Sequence, residues 1–392
     1  MAQDDEFRAS AALAFAAGGG IVDIAARMQR AITRRSAGPL KGLALAPALI
    51  ADAVYGAVRL GVTAGAAVAD TALAASGVGR RHQPLQTTEW GRRVAGVLNG
   101  AIGDRLAEQY PVLATPMRLR VAGRDVEPAD VAGHYPDATG HLTVFLHGLI
   151  ENEEWWCDSE TGFGDRLAAD LGVTPLYVRY NTGRHISDNA REFSLLLNEI
   201  LAAWPVVPTR ISLIGHSMGG LVARGAVHHA ADGDQPWPAL LADVICLGSP
   251  HRGSYVERGA NLAGLALNAF DESAPLAVLC TGRSSGIKDL RFGYLDEVEW
   301  SGQDPDAHRR ATPRPEYRTA PGSRQRFLAA TLARDPGGLP GQVLGDLLVT
   351  PASATDASLP AERRMLGSLG HFDLLTHPQV YQQLRDWLSE PS

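Results

Sequence analysis

A pentapeptide in the middle of the chain has the spacing of a serine nucleophile. Gly215-His-Ser217-Met-Gly219 matches the pattern G-x-S-x-G. Residues 211–214 before it form an apolar run typical of a buried strand, and residues 220–227 can continue as a helix. Glycines permit a tight strand-to-helix turn that leaves the serine hydroxyl exposed at the helix N-terminus, where the helix dipole favours negative charge. We therefore predict that Ser217 is a catalytic nucleophile.

A serine nucleophile needs a general base, and the sequence offers a histidine in a suitable place. His371 follows the apolar segment 365–369 and precedes a helical pattern of apolar residues within 380–388. Such a residue lies on the loop between the last strand and the last helix. His377, next to a proline, is better interpreted as a helix-start residue. We predict that His371 is the base.

The base in turn needs a carboxylate that orients it, placed between the serine and the histidine. Asp335 precedes Pro-Gly-Gly and has the surroundings of a turn residue, whereas Asp356 lies in a loop of small residues. Asp346 is flanked by apolar residues that can hold it in place. Asp346 is therefore the predicted third member of a Ser-His-Asp triad.

Two backbone N–H groups should stabilise the negative charge that develops on the attacked carbonyl oxygen. One belongs to Met218, the residue after the nucleophile. The other is expected after an early strand, and residues 142–146 form an apolar run that ends in His147-Gly148. This makes the N–H of Leu149 the predicted second donor. His147 is a candidate substrate-binding residue, or alternatively a packing histidine that supports the loop.

These residues require a fold that brings several strand ends together, and the sequence after residue 110 predicts an α/β domain. Strands are predicted at 142–146, 176–180, 211–214, 244–247 and 327–332, with helices at 164–171, 188–204 and 219–229 between the earlier ones. This alternation favours a mostly parallel sheet with helices on both faces. Residues 251–325 interrupt it and predict a cap or lid insertion. In its amphipathic segment 261–270, the candidate pocket residues are Leu265, Leu267 and Phe270.

The first 110 residues form a separate region that is rich in alanine and glycine. Helices are predicted around 5–35, 47–75 and 89–108. The middle helix has a thin polar stripe on an otherwise apolar cylinder. This pattern predicts burial against its own domain or in a homo-oligomer, and membrane-surface contact through residues 40–80 is the alternative. The expected domains are thus 1–110 and 111–392.

Composition limits the classes of partner and location. The chain has 43 acidic and 36 basic residues, a net charge of −7, which argues against nucleic acid as the main partner. Three cysteines form neither a disulfide framework nor a metal-ligand cluster, and no metal or organic cofactor is indicated. The acidic start and the lack of an 18-residue apolar run predict neither a signal peptide nor a transmembrane helix. A cytoplasmic protein, with peripheral membrane contact as the alternative, is expected.

The chain resembles α/β-hydrolases of the bacterial lipase and esterase type, including the group related to GPI inositol-deacylase. The likeness covers about residues 111–392 and rests on FLHGLIENEEWW (145–156), YNTGRHIS (180–187), LIGHSMGGLVARG (213–225), LGSPHRGS (247–254), GDLLVTPASA (345–354) and GHFDLLTHPQVYQQLRDWL (370–388). The resemblance implies the α/β-hydrolase fold and the same triad and oxyanion donors. Many lipase relatives carry Asp-Gly at the acid, where this chain has Asp346-Leu347.

The resulting hypothesis is a serine carboxylic ester hydrolase that acts through an acyl-enzyme on esters with a hydrophobic acyl group. The substrate would be a small-molecule or lipid ester. An acyltransferase or a polyester depolymerase would use the same triad. A membrane-associated scaffold with an inert hydrolase fold is a non-enzymatic alternative that rests on the N-terminal helices.

Overall fold

The computed structural model describes residues 88–157, 162–233, 235–254, 284–304, 310 and 313–391. These residues belong to two compact units, one with residues 88–115 and 284 and one with the remainder. The helices predicted at 5–35 and 47–75 and the surface predicted at 40–80 lie outside the described residues. The same is true of Leu265, Leu267 and Phe270.

The first unit contains the predicted helix at 89–108, which the structure places at Glu89–Gln109 (α1). The Thr88 side chain accepts a hydrogen bond from the Gly91 N–H at 3.0 Å and so caps the start of the helix. Asn99 holds the segment that follows the helix, because its side chain accepts from the Thr115 N–H and donates to the Leu113 carbonyl.

The second unit is built on an eight-stranded sheet in the order β2-β1-β4-β3-β5-β6-β7-β8. Strands β3 to β8 pair in parallel, and β1 is antiparallel to both β2 and β4. The strands are β1 (Arg118–Val121), β2 (Arg124–Val126), β3 (His141–Leu146), β4 (Thr174–Arg179), β5 (Arg210–His216), β6 (Leu241–Leu247), β7 (Arg324–Thr331) and β8 (Glu362–Gly367).

Helices cover both faces of this sheet. They are α2 (Val131–His134), α3 (Phe163–Leu171), α4 (Ile186–Ala202), α5 (Met218–Asp232), α6 (Ser285–Phe292), α7 (Leu339–Leu344), α8 (Pro351–Thr355) and α9 (Pro378–Ser389). The five predicted strands and the three predicted helices between them are confirmed, with ends that shift by a few residues. None of the described helices has the length and apolar character required to cross a bilayer.

Alternating strand residues explain why the sheet has two hydrophobic cores. Leu213 of β5 packs in a cluster with residues of α4 and α5, whereas Ile214 packs in a cluster with residues of α3 and α9. Since successive side chains point to opposite faces, a central strand with both faces covered is apolar throughout. The five apolar positions predicted for the last helix are all buried in α9, namely Val380, Tyr381, Leu384, Trp387 and Leu388.

The strands at the two edges of the sheet contain charged residues and are not among the predicted strands. β1 and β2 form a hairpin whose turn residues Ala122 and Gly123 both have positive φ, and β8 begins with Glu-Arg-Arg. Edge strands are exposed on one side, so charged residues interrupt the apolar run on which strand prediction depends.

Candidate active site

Ser217 lies in a sharp turn between β5 and α5. Its φ of 50° and ψ of −117° are a strained conformation for a residue with a Cβ. The turn requires its glycines: a Cβ at Gly219 would lie 2.2 Å from the Leu146 carbonyl oxygen. The Ser217 N–H donates to the Leu247 carbonyl at 2.8 Å, which fixes the turn to the end of β6. This is the geometry that the G-x-S-x-G spacing predicts.

Asp346 and His371 form a buried pair in the loops that flank β8. The Nδ1 atom of His371 lies 2.7 Å from Oδ2 of Asp346. The other carboxylate oxygen accepts the N–H groups of Leu348 at 3.0 Å and Val349 at 2.8 Å. A backbone hydrogen bond from the His371 N–H to the Asp346 carbonyl adds a further link. The carboxylate is thus held by the chain that carries it and is directed at the imidazole.

The other two candidate acids have different partners. Asp335 accepts a hydrogen bond from the Gly337 N–H at 2.9 Å, as expected of a turn residue. Asp356 is fully buried, and its carboxylate bonds to Arg314 at 2.6 Å. Of the three candidate acids, Asp346 is the one whose carboxylate contacts the His371 imidazole.

The charges around His371 favour its protonated form. Burial alone would lower the pKa of the imidazole, but the charge and hydrogen bond of Asp346 and the charge of Glu151 outweigh this, so the pKa is raised above its usual 6.5. A histidine of this kind can accept a proton readily and keep it while a neighbouring group carries negative charge.

Leu347, the residue after the acid, has a φ of 84°. This left-handed region suits glycine, because a Cβ there crowds the backbone. The leucine therefore holds a backbone conformation that glycine would adopt without strain.

The loop after β3 has a framework of backbone hydrogen bonds around Leu149. The Gly148 N–H donates to Oε2 of Glu151 at 2.6 Å, and the Ile150 N–H donates to Oγ1 of Thr182 at 3.2 Å. Leu149, half-buried, lies between these two fixed positions. The other expected donor, Met218, is the first residue of α5, where an N–H group has no partner within the helix.

His147 lies beneath this loop and is fully buried. Its Nδ1 donates to the Gly148 carbonyl at 3.0 Å, and its Nε2 accepts the Tyr180 N–H at 3.3 Å. The Tyr180 ring stacks on the imidazole with 4.3 Å between centroids. Burial lowers the pKa of His147, consistent with a neutral ring. Both ring nitrogens of His147 thus bond to backbone groups, which favours the alternative in which this histidine supports the loop.

Comparisons with known proteins agree with this architecture. The family model of the PGAP1-like alpha/beta domain matches residues 178–269. A triacylglycerol lipase of Burkholderia plantarii is 32% identical over 131 residues, which are 32% of this chain and 34% of that protein. A triacylglycerol lipase of Pseudarthrobacter phenanthrenivorans is 31% identical over 121 residues, 30% of this chain and 35% of that protein. The matches thus span about a third of the length of these curated relatives.

The chain has the α/β-hydrolase fold. A crystal structure of a Bacillus licheniformis lipase in its mature form aligns with 62% of this chain and 91% of its own, with 20% identity and a TM-score of 0.41. The part of this α/β-hydrolase that the family model matches includes the Ser217 turn.

Two side chains of this α/β-hydrolase that contact the site were not identified from the sequence. Glu151 and His216 are both buried and bond to each other at 2.8 Å. Glu151 belongs to the acidic stretch Glu-Asn-Glu-Glu, which by composition alone suggests an exposed loop. The available signals were the position of Glu151 three residues after Gly148 and that of His216 directly before the nucleophile.

Neither metal-ligand clusters nor disulfides occur in the described part of the chain. No group of three or more His, Cys, Asp or Glu side chains there is arranged to hold a metal ion. Cys246 is a buried thiol and Cys157 an exposed one, and neither forms a disulfide.

Proposed function

We propose that this α/β-hydrolase is a serine carboxylic ester hydrolase that acts through an acyl-enzyme. The observation that carries the proposal is the Asp346–His371 pair, 2.7 Å apart, in loops at the same sheet edge as the strained Ser217 turn. Three groups in the chain order serine, acid, histidine, each at the carboxyl end of a parallel strand or in the loop beyond it, match the requirements of this chemistry.

In the first step, His371 takes the proton of the Ser217 hydroxyl as the oxygen attacks the ester carbonyl. Asp346 holds the imidazole with Nδ1–H directed at its carboxylate and stabilises the imidazolium that forms. The N–H groups of Met218 and Leu149 donate to the oxyanion. His371 then gives its proton to the departing alcohol, and the acyl group remains on Ser217.

Water completes the cycle through the same groups. His371 removes a proton from the water as it attacks the acyl-enzyme, and the oxyanion forms again between the two N–H donors. Collapse of this intermediate returns the proton to Ser217 and releases the carboxylic acid. His147 contributes by holding the Gly148 carbonyl and hence the course of the donor loop.

The proposed substrates are esters with a hydrophobic acyl group. The two similar proteins named as triacylglycerol lipases support this class. The predicted pocket residues Leu265, Leu267 and Phe270 would supply an apolar wall, and they remain part of the proposal. Contact of residues 40–80 with a membrane surface or a second copy of the chain is likewise a proposal.

Turnover of p-nitrophenyl esters of graded chain length tests the function. Ser217→Ala should remove most of a rate enhancement on the order of 10⁶, because the nucleophile and its base act as a unit. A fluorophosphonate probe should label the wild-type protein and not this variant. Ser389→Ala, at the exposed end of α9, is the matched control and should keep both turnover and labelling.

Retention of wild-type turnover by Ser217→Ala would disprove the mechanism. Product analysis with an added alcohol then separates hydrolysis from acyl transfer, since an acyltransferase would form the new ester in preference to the acid. A wild-type protein that neither turns over esters nor reacts with the probe would instead support the scaffold alternative.

A further inference from the structure

A second carboxylate–imidazole pair lies next to the Asp346–His371 pair. Glu151, in the loop after β3, and His216, the last residue of β5, are 3% and 0% exposed. The Nδ1 atom of His216 lies 2.8 Å from Oε1 and 3.0 Å from Oε2 of Glu151. The Nε2 atom lies 3.1 Å from the backbone carbonyl oxygen of His371. The imidazole therefore bridges the donor loop and the base.

The partners of His216 define the direction of these hydrogen bonds. A backbone carbonyl can only accept, so Nε2 carries a proton and donates it to the His371 oxygen. Nδ1 faces a carboxylate that also accepts the Gly148 N–H at 2.6 Å. One further proton joins Nδ1 to Glu151, and each polar atom of the chain Gly148–Glu151–His216–His371 then has a partner.

Other groups pack around this chain of hydrogen bonds. His147 and the hydroxyl of Tyr180 interact electrostatically with Glu151 from β3 and β4. The rings of Trp156 and Phe372 enclose His216 at centroid distances of 6.4 Å and 6.3 Å. The charged groups that act on His371 are Asp346 and Glu151. Glu151 is thus the one carboxylate in this set that contacts the donor loop and also acts on the base.

We propose that Glu151 and His216 are a positioning pair that fixes the oxyanion-donor loop and the catalytic base relative to each other. Glu151 holds the loop through the Gly148 N–H, and His216 holds the backbone of His371. The proposal rests on the proposed ester hydrolysis, because it assigns these two residues to the geometry of that reaction.

Two substitutions test the hydrogen bonds of Glu151. In Glu151→Gln the amide oxygen can accept the Gly148 N–H while the amide N–H donates to Nδ1 of His216, so the geometry is kept without the proton that Glu151 and His216 share. In Glu151→Ala both bonds are lost. Glu154→Gln is the matched control, because Glu154 lies in the same loop and is only partly buried.

The pair predicts different results for the two variants. Glu151→Ala should lower kcat roughly 10²-fold with little change in KM, as expected of misplaced reacting groups, and should still fold cooperatively. Glu151→Gln, which can form both hydrogen bonds, should keep most of the kcat. His216→Phe, which keeps a ring but lacks both N–H groups, should resemble Glu151→Ala. The control should match the wild-type protein.

The titration of His371, followed by NMR of its imidazole nitrogens, gives a readout that does not require turnover. Glu151→Ala should change this titration, because His216 no longer holds the backbone of His371 in place, and Glu154→Gln should not. An unchanged titration or a wild-type kcat in Glu151→Ala would overturn the positioning pair. Failure of the proposed function is recognised separately, by the absence of ester turnover and of fluorophosphonate labelling in the wild-type protein.

Discussion

His371 is the residue whose protonation should control the rate, and its environment determines the pH at which it does so. Burial opposes the charged form, yet Asp346 and Glu151 raise the pKa above 6.5. Since a general base must be neutral, kcat/KM should fall as the pH decreases through this raised pKa. A pH–rate profile with a soluble p-nitrophenyl ester should therefore show an acid limb above pH 6.5.

Of the two carboxylates that raise the pKa of His371, Asp346 has the larger effect. Asp346→Asn removes the charge and presents an amide to Nδ1, which favours the wrong tautomer and should lower kcat by roughly 10⁴-fold. His377→Gln, at the start of α9, is a control that removes a histidine outside the pair and should leave the limb in place. An acid limb below pH 6.5 in the wild-type protein would contradict the electrostatic argument.

Leu347 allows a test of backbone strain beside the acid. Leu347→Gly and Leu347→Ala both lose the side chain beyond Cβ, so they differ in the Cβ alone. At a φ of 84° the glycine variant should have a free energy of unfolding about 1 kcal/mol higher than the alanine variant. Elsewhere alanine is usually the more stabilising of the two. Urea denaturation of both variants measures the difference, and equal stabilities would show that the turn relaxes around the Cβ.

The sequence predicts the residues that carry out the proposed reaction better than those that support them. Ser217 has a motif, and His371 and Asp346 have a required order along the chain. Glu151 belongs to no motif and has no required place in the chain order. Its proposed positioning role depends on a buried contact with His216, which is 65 positions away. Charged residues are usually exposed, and only the three-dimensional contact distinguishes this one from its neighbours Glu153 and Glu154.

The turn between β5 and α5 depends on close approach of backbone atoms. Gly219→Ala would place its Cβ 2.2 Å from the Leu146 carbonyl oxygen, so the turn must shift. We expect a loss of roughly 3 kcal/mol in stability together with loss of ester turnover. Gly133→Ala, in α2 with no atom within 4 Å of the added Cβ, is the matched control and should be neutral or slightly stabilising. Thermal unfolding and activity of a Gly219→Ala protein equal to wild type would refute the steric argument.

The strands could be predicted from the sequence where burial on both faces makes most of their residues apolar. β3, β5 and β6 are covered on both faces, so apolar residues alone identify them. The strands β1, β2 and β8 contain charged residues and form the two margins of the sheet. The lack of a continuous apolar run makes such strands resemble loops.

A cluster of ions at the opposite edge of the sheet stabilises the molecule as a whole. Asp243, at the start of β6, is fully buried. Arg210 of β5 donates to it at 2.8 Å, Arg324 of β7 at 3.0 Å, and Arg326 lies 3.4 Å away. These contacts join three neighbouring strands at the edge where their chains enter the sheet.

Removing the central carboxylate should destabilise the fold without altering the chemistry. Asp243→Asn leaves three guanidinium groups around an uncharged residue, and we expect a loss of about 3–5 kcal/mol in the free energy of unfolding. The kcat of the folded protein should not change, because the cluster lies at the sheet edge away from Ser217. Asp386→Asn, on the exposed side of α9, should change stability by less than about 0.5 kcal/mol. A lower kcat in folded Asp243→Asn would show that the two edges are coupled.

Of the five described residues other than glycine that have positive φ, Ile150, Ser217, Leu347 and Ser368 lie in loops at the carboxyl edge of the sheet. Each such conformation costs on the order of 1–2 kcal/mol, which the buried strands beneath must offset. Relaxation of the loops that carry the proposed site would therefore lower their free energy, whereas the strands of the described sheet have no such strain to release. On gentle warming, catalytic competence should disappear while the sheet is still intact, so the working lifetime of the protein is set by its loops and not by its core.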